Sequence, residues 1–94
     1  METMETYIIE RHIPGIENMS ADEWKAIARK SNGVLADLGS QLRWIHSYVM
    51  GGKTYCVYEA ADEELIREHA KLGGFPCNVI TPVRGMLEPA MGQL

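Results

Sequence analysis

The 94-residue chain has few basic residues, no strongly apolar run and no leader-like N-terminus. Nine Lys and Arg stand against 13 Asp and Glu, giving a net charge of -4, and a chain without a basic patch is not expected to bind nucleic acid. No apolar run approaches the roughly 18 to 20 residues of a membrane span, and METMETYIIERH lacks the basic lead and apolar core of a signal peptide. We therefore expect a cytoplasmic protein that engages neither nucleic acid nor membrane.

Cysteine is also scarce, and the usual motifs of metal sites and active sites are missing. Cys56 and Cys77 stand alone without framework spacing, so free thiols are expected rather than a disulfide. The sequence contains no HxH, HExxH or CxxC pattern, no nucleotide-binding loop and no nucleophile elbow. No nucleotide cofactor or particular reaction is indicated, and whether the protein is an enzyme stays open.

The remaining pattern predicts a single domain over residues 1–94, with loose ends at 1–5 and 90–94. Ser20 and Glu23 form a capping-box pattern at the start of one helix, and Asp62 is the expected N-cap of another. Pro82 argues that the last strand lies at a sheet edge. The predicted elements are strands over 7–13, 41–50, 53–60 and 79–87, and helices over 20–39 and 61–74.

This β-α-β-β-α-β order is the signature of a ferredoxin-like α+β fold. Strand three is expected between strands one and two in a four-stranded antiparallel sheet, with strand four outside strand one. Both helices then cover one face of the sheet and leave the other uncovered. A chain this short buries a modest part of its surface, so a homodimer that covers this face would add apolar burial.

Alternation along strands one and two predicts which side chains lie on the uncovered face. Glu10 and His12 share one side of strand one, and Trp44, His46 and Tyr48 share one side of strand two. This set is too aromatic for simple solvation and too polar for an ordinary core. It is typical of a cavity wall or a dimer interface.

Strand three has two possible registers at this stage. A two-residue turn at Gly51-Gly52 would place Tyr55 and Glu59 beside the histidine and tyrosine of strand two. A three-residue loop would place Cys56 and Tyr58 there instead, because a one-residue shift flips every side chain. Charge favours the first alternative, since Glu59 beneath a helix would be costly.

These groups have the chemistry of metal ligands, but the strand spacing argues against a preformed metal site within one chain. Imidazole, carboxylate and thiolate suit nickel, zinc or copper, yet strands one and two should lie about 9 to 10 Å apart with strand three between them. His69 falls on the apolar stripe of the second helix, where a hydrogen-bonded core histidine is the favoured interpretation over a ligand.

Four segments of the chain resemble a family of small bacterial proteins of unknown function, some of whose members are described as nickel-binding. They are ERHIP (10–14), WIHSYVMGGKTYCVYEA (44–60), IREHA (66–70) and GFP (74–76). The resemblance implies a ferredoxin-like subunit that pairs sheet to sheet in a dimeric α+β barrel. Gly51-Gly52 stands where family members tend to carry an acidic pair, which removes any ligand from those carboxylates.

Two functions are compatible with this resemblance. The first is a homodimeric protein that binds nickel or another divalent transition metal, with candidate ligands His46, Glu10, Glu59, His69 and Cys56. The alternative is a binding protein or enzyme that holds a small organic molecule in the barrel cavity, lined by Trp44, Tyr48, Tyr55 and Tyr58. A third interpretation is a purely structural dimer whose polar interior groups satisfy one another.

Overall fold

The computed structural model describes residues 3–93, which form one antiparallel sheet with two long helices. The elements are β1 (Glu5–His12), α1 (Ala21–Leu38), β2 (Leu42–Met50), β3 (Lys53–Ala60), α2 (Glu63–Gly73) and β4 (Val79–Pro82), with short 3-10 helices at Ile16–Asn18 and Pro89–Gln93. The strand order is β2-β3-β1-β4, and all pairs are antiparallel. The ferredoxin-like α+β fold is confirmed.

Both long helices begin at the caps that the sequence predicts. Ser20 Oγ accepts a hydrogen bond from the Glu23 backbone N–H, and Glu23 Oε1 accepts one from the Ser20 N–H, each at 3.1 Å. Asp62 Oδ1 accepts from the Leu65 N–H at 3.0 Å. These bonds satisfy N–H groups that a helix start leaves without partners. No helix in the described part of the chain is long and apolar enough to cross a membrane.

The turn between β2 and β3 decides the register of β3. Met50 pairs with Lys53, so Gly51 and Gly52 form a two-residue turn, the first of the two alternatives. Alternate residues of β3 then point to the helices and are buried. The core packed between the sheet and the helices consists of Tyr7, Ile9, Leu42, Cys56, Tyr58, Ala60 and Ile66.

A bulge in β2 overturns the predicted side of Trp44. Trp44 pairs with Tyr58 and His46 pairs with the next residue of β3, Val57, so Ile45 is the extra residue. A bulge breaks the two-residue alternation, which places Trp44 on the helix side while His46 stays on the other. The Trp44 indole N–H donates to Ser47 Oγ at 2.9 Å, and Ile45 is 43% exposed.

The ends of the sheet differ in detail from the predicted bounds. β1 already begins at Glu5, inside the segment expected to be loose, because Glu5 pairs with Ala60. β4 ends at Pro82 rather than at residue 87, and among the strands of residues 3–93 it pairs only with β1, which confirms its edge position. The 3-10 helix Pro89–Gln93 overlaps the second segment expected to be loose, residues 90–94. Residues 1, 2 and 94 lie outside the described part of the chain.

Candidate functional site

The sheet separates the predicted site residues into two groups. We call the side without helices the open face, which carries Glu10, His12, His46, Tyr48, Lys53, Tyr55, Val57 and Glu59. Trp44, Cys56 and Tyr58 point to the helices, and His69 lies on α2 beneath them. The five candidate metal ligands therefore do not converge, because Cys56 and His69 lie on the opposite side of the sheet from His46.

A polar cluster lies where the open face meets the β2-β3 turn. His12 Nε2 lies 3.2 Å from Glu10 Oε1, and the Lys53 ammonium donates to the same oxygen at 3.3 Å. Asn78 Oδ1 holds the strand here by accepting from the His12 backbone N–H at 2.8 Å. Hydrogen bonds from His12 and then Lys53 lower the pKa of Glu10. The carboxylate is thus kept ionised next to an imidazole, which is a suitable pair of ligands for a transition metal.

His12 was left out of the candidate ligands, although one sequence signal pointed to it. Glu10 and His12 are two residues apart in a strand, and that spacing puts both side chains on the same face. In the structure His12 contacts the Glu10 carboxylate, whereas His46 contacts the ring of Tyr48, edge to face, with centroids 5.0 Å apart.

The other candidate ligands on the open face lie apart from this cluster. Tyr55 of β3 pairs with both Tyr48 and Glu10, so β3 separates the β2 side chains from Glu10 by about two strand spacings, or ~10 Å. Glu59 lies near Arg43 instead, with an O–N distance of 3.8 Å. Within residues 3–93, no three His, Cys, Asp or Glu side chains are grouped so that they could hold a metal ion. Within residues 3–93, Glu10 and His12 are two adjacent side chains of ligand type, and they do not form a complete metal site.

His69 is a neutral core histidine. Its side chain is 0% exposed, its Nε2 lies 3.0 Å from Ser31 Oγ, and its ring stacks on Phe75 with centroids 5.4 Å apart. Burial, together with the positive charge of Arg11, lowers the pKa of His69 to about 4. This agrees with the core interpretation of the residue. Cys56 is likewise buried, and both it and Cys77 are free thiols.

A cavity of about 250 Å³ lies between α1 and the covered side of the sheet; we call it the helix-side cavity. Trp44 and Tyr58 line it, whereas Tyr48 and Tyr55 lie on the open face. The four aromatic residues predicted to surround one organic ligand are therefore divided between two sides of the sheet. Burial raises the pKa of the Tyr58 phenol, an effect that the nearby Arg11 charge partly opposes.

Comparisons with known proteins agree with this architecture. The chain matches the family model described as nickel responsive protein SCO4226-like over residues 7–83. The crystal structure of SCO4226 from Streptomyces coelicolor A3(2) superposes with a TM-score of 0.72 at 15% identity, covering 87% of this chain and 99% of that one. At that identity the superposition shows the fold alone. No curated protein sequence matches the chain. Since the family model spans most of the sequence, the chain belongs to the SCO4226-like family of nickel-responsive proteins.

Proposed function

We propose that the protein is a homodimer that binds a divalent transition metal, with nickel as the first candidate, through Glu10 and His12 of the open face. The observation that carries the proposal is the 3.2 Å contact between the carboxylate and the imidazole. Carboxylate oxygen and imidazole nitrogen are ligands that nickel, copper and zinc accept. The family to which the chain belongs is described as nickel-responsive, which makes nickel the metal to test first.

The missing ligands are assigned to a second copy of the chain. Tyr48, Met50 and Val79 are large apolar or aromatic side chains that stay exposed on the strands around the cluster, and such a surface is stabilised when a partner covers it. A two-fold dimer presents the same patch twice. The second copy would therefore supply its own Glu10 and His12, and it could add the imidazole of His46, which a single chain keeps at a distance.

In this proposal the Lys53 ammonium competes with the metal for the Glu10 carboxylate. Its ammonium now donates to the Glu10 oxygen that a metal would use. A bound divalent cation would supply the countercharge that Lys53 supplies to Glu10. Removing the ammonium by Lys53→Gln should therefore tighten nickel binding a few-fold, because the cation would no longer be repelled by, or compete with, a neighbouring positive charge.

The test is native mass spectrometry of tag-free protein before and after nickel is added, together with calorimetric titration. The expected result is a dimer that takes up nickel, with at least about tenfold weaker uptake in Glu10→Gln and His12→Ala, since each change removes one ligand. Glu64→Gln, an exposed carboxylate on α2, is the matched control and should bind as wild type. A monomer, or uptake that neither ligand variant alters, would overturn the proposal. His46→Ala tests separately whether the β2 imidazole contributes.

A further inference from the structure

The apolar stripe of α1 is not sealed against the sheet. Trp24, Ile27, Ala28 and Ser31 follow one another at helical spacing, and all four line the helix-side cavity. Within α1 only Ser31 is buried, and Trp24 is 41% exposed. Apolar side chains that face a gap lack the contacts and the burial that a packed core supplies. The helix therefore presents an apolar surface that a further molecule would cover.

Other elements enclose the cavity on its remaining sides. β2 and β3 contribute Trp44 and Cys56, the 3-10 helix contributes Ile16, and the loop after α2 contributes Phe75. The volume of about 250 Å³ exceeds the roughly 150 Å³ of an engineered apolar cavity that binds benzene. Scaling from benzene gives room for about ten non-hydrogen atoms. A space of this size suits a compact ring compound rather than an extended chain.

Several polar groups of the lining already have partners within the protein. The Trp24 indole N–H donates to a backbone carbonyl oxygen at 2.9 Å, and the Trp44 indole N–H donates to Ser47 Oγ at 2.9 Å. Thr54 Oγ1 lies 3.4 Å from Cys56 Sγ. A ligand in the cavity is therefore not needed to satisfy these indole and hydroxyl groups.

The charged group of the lining is also engaged by the protein. Arg11 Nη1 donates to the Pro76 carbonyl oxygen at 2.7 Å, and Nη2 is fully buried. Ser31 Oγ lies 3.0 Å from His69 Nε2. Burial raises the pKa of Tyr58, and hydrogen bonds with Arg11 and Ser31 oppose that rise. These groups interact with one another, so apolar contact is what the lining has to offer a ligand.

We propose that the helix-side cavity binds a neutral, apolar ring compound, which packs between α1 and the sheet. A charged ligand would lose its hydration without gaining a partner of opposite charge. Water is held well only where it has two to four polar partners, so water beside these side chains is readily displaced by an apolar molecule. The cavity lies on the opposite side of the sheet from Glu10 and His12, so the inference does not depend on the proposed metal function.

Both tryptophans of the chain report on the contents of this cavity. The sequence contains only Trp24 and Trp44, and both line it. Intrinsic fluorescence of the whole protein is titrated with indane, a bicyclic hydrocarbon, with a chelator present so that metal binding plays no part. Indane-2-carboxylate and protonated 2-aminoindane carry the same rings with a negative or a positive charge. The thermal unfolding midpoint is measured with the same compounds, since a ligand that binds the folded state raises it.

The expected result is a saturable fluorescence change and a higher unfolding midpoint with indane. Both charged compounds should bind at least about tenfold more weakly, because the cavity cannot replace their hydration. Binding of either charged compound as tight as that of indane would overturn the neutral class of ligand. The absence of a saturable change up to the solubility limit of indane would overturn the inference altogether, and it is the result expected if a side chain from a second copy of the chain fills the cavity.

Substitutions at Ala28 test whether indane occupies this cavity. Ala28→Phe places a ring in the space and should weaken indane binding by at least about tenfold, because two rings cannot share it. Ala28→Leu fills less of the cavity, should weaken binding less, and provides the test if the larger side chain prevents folding. Ala26→Phe, the same change at an exposed position of α1, is the matched control and should bind as wild type. Unchanged binding by the Ala28 variants would place indane elsewhere on the protein and overturn the inference.

Discussion

Protonation of His69 should make folding stability depend on pH in a defined direction. The ordinary pKa of a histidine is 6.5, and burial next to Arg11 lowers that of His69 to about 4 in the folded protein. The unfolded chain binds this proton more readily than the native state does. As far as His69 is concerned, the free energy of unfolding is therefore highest above pH 6.5, and it decreases as the pH falls from 6.5 towards 4.

The size of the effect follows from the two pKa values. Each unit of difference between folded and unfolded pKa corresponds to about 1.4 kcal/mol, and His69 is 0% exposed, so solvent screening is small. Between about pH 7.5 and 4.5, the free energy of unfolding should fall by roughly 2 to 3 kcal/mol from this residue alone. That is a large part of the stability of a small domain.

The assay is urea unfolding of wild type and His69→Gln across this pH range. An amide can still hydrogen-bond to Ser31, and it does not titrate, so the variant should be less stable at neutral pH but should lose stability less steeply on acidification. Carboxylates that titrate in both proteins cancel in the difference between the two curves. Asn32→Gln, which changes an exposed, non-titrating side chain of α1 and keeps His69, is the control and should retain the wild-type slope. The same slope in wild type and His69→Gln would refute the reasoning.

Two further substitutions, each with a control variant, test the packing and a helix cap by urea unfolding. Gly73→Ala should destabilise the protein by about 1 to 3 kcal/mol, because the new Cβ would overlap the Phe75 ring. Gly33→Ala, inside α1 with no atom within 4 Å of its Cβ position, should instead be neutral or stabilise by up to ~1 kcal/mol; equal effects would contradict the assigned contact. Ser20→Ala should cost about 1 kcal/mol through loss of the capping box, whereas Ser40→Ala in the exposed turn after α1 should stay within about 0.5 kcal/mol. A Ser20→Ala variant as stable as wild type would mean that the cap is not needed.

In β1, the alternation of side chains in the sequence correctly predicts which face of the sheet each side chain occupies. Alternation placed Glu10 and His12 on the same side of strand one, and the structure has both on the open face, with the buried Tyr7, Ile9 and Arg11 on the other side. The strand is regular over its whole length, so the two-residue period applies without interruption. The same reasoning failed for Trp44, because the bulge at Ile45 is an extra residue that alternation along one strand cannot detect.

Contacts between distant parts of the chain shape both sides of the sheet. Lys53 meets Glu10 only because β3 pairs with β1, and Arg11 meets the Pro76 carbonyl across 65 positions. A sequence pattern can place a histidine or an arginine on a face, but it does not say which group from another element lies opposite.

The sequence by itself determined the element order, the helix caps, the edge position of β4 and the fold class. The elements and caps follow from interactions among residues close in the chain. The fold class follows because few arrangements of two helices cover a four-stranded sheet. Only the tertiary structure decided the register of β3, the side of Trp44, the separation of His69 and Cys56 from the open face, and the cavity beside Arg11. Those features depend on how hydrogen-bonded strands align and how closely α1 approaches the sheet, and both are settled by the packing of the whole domain.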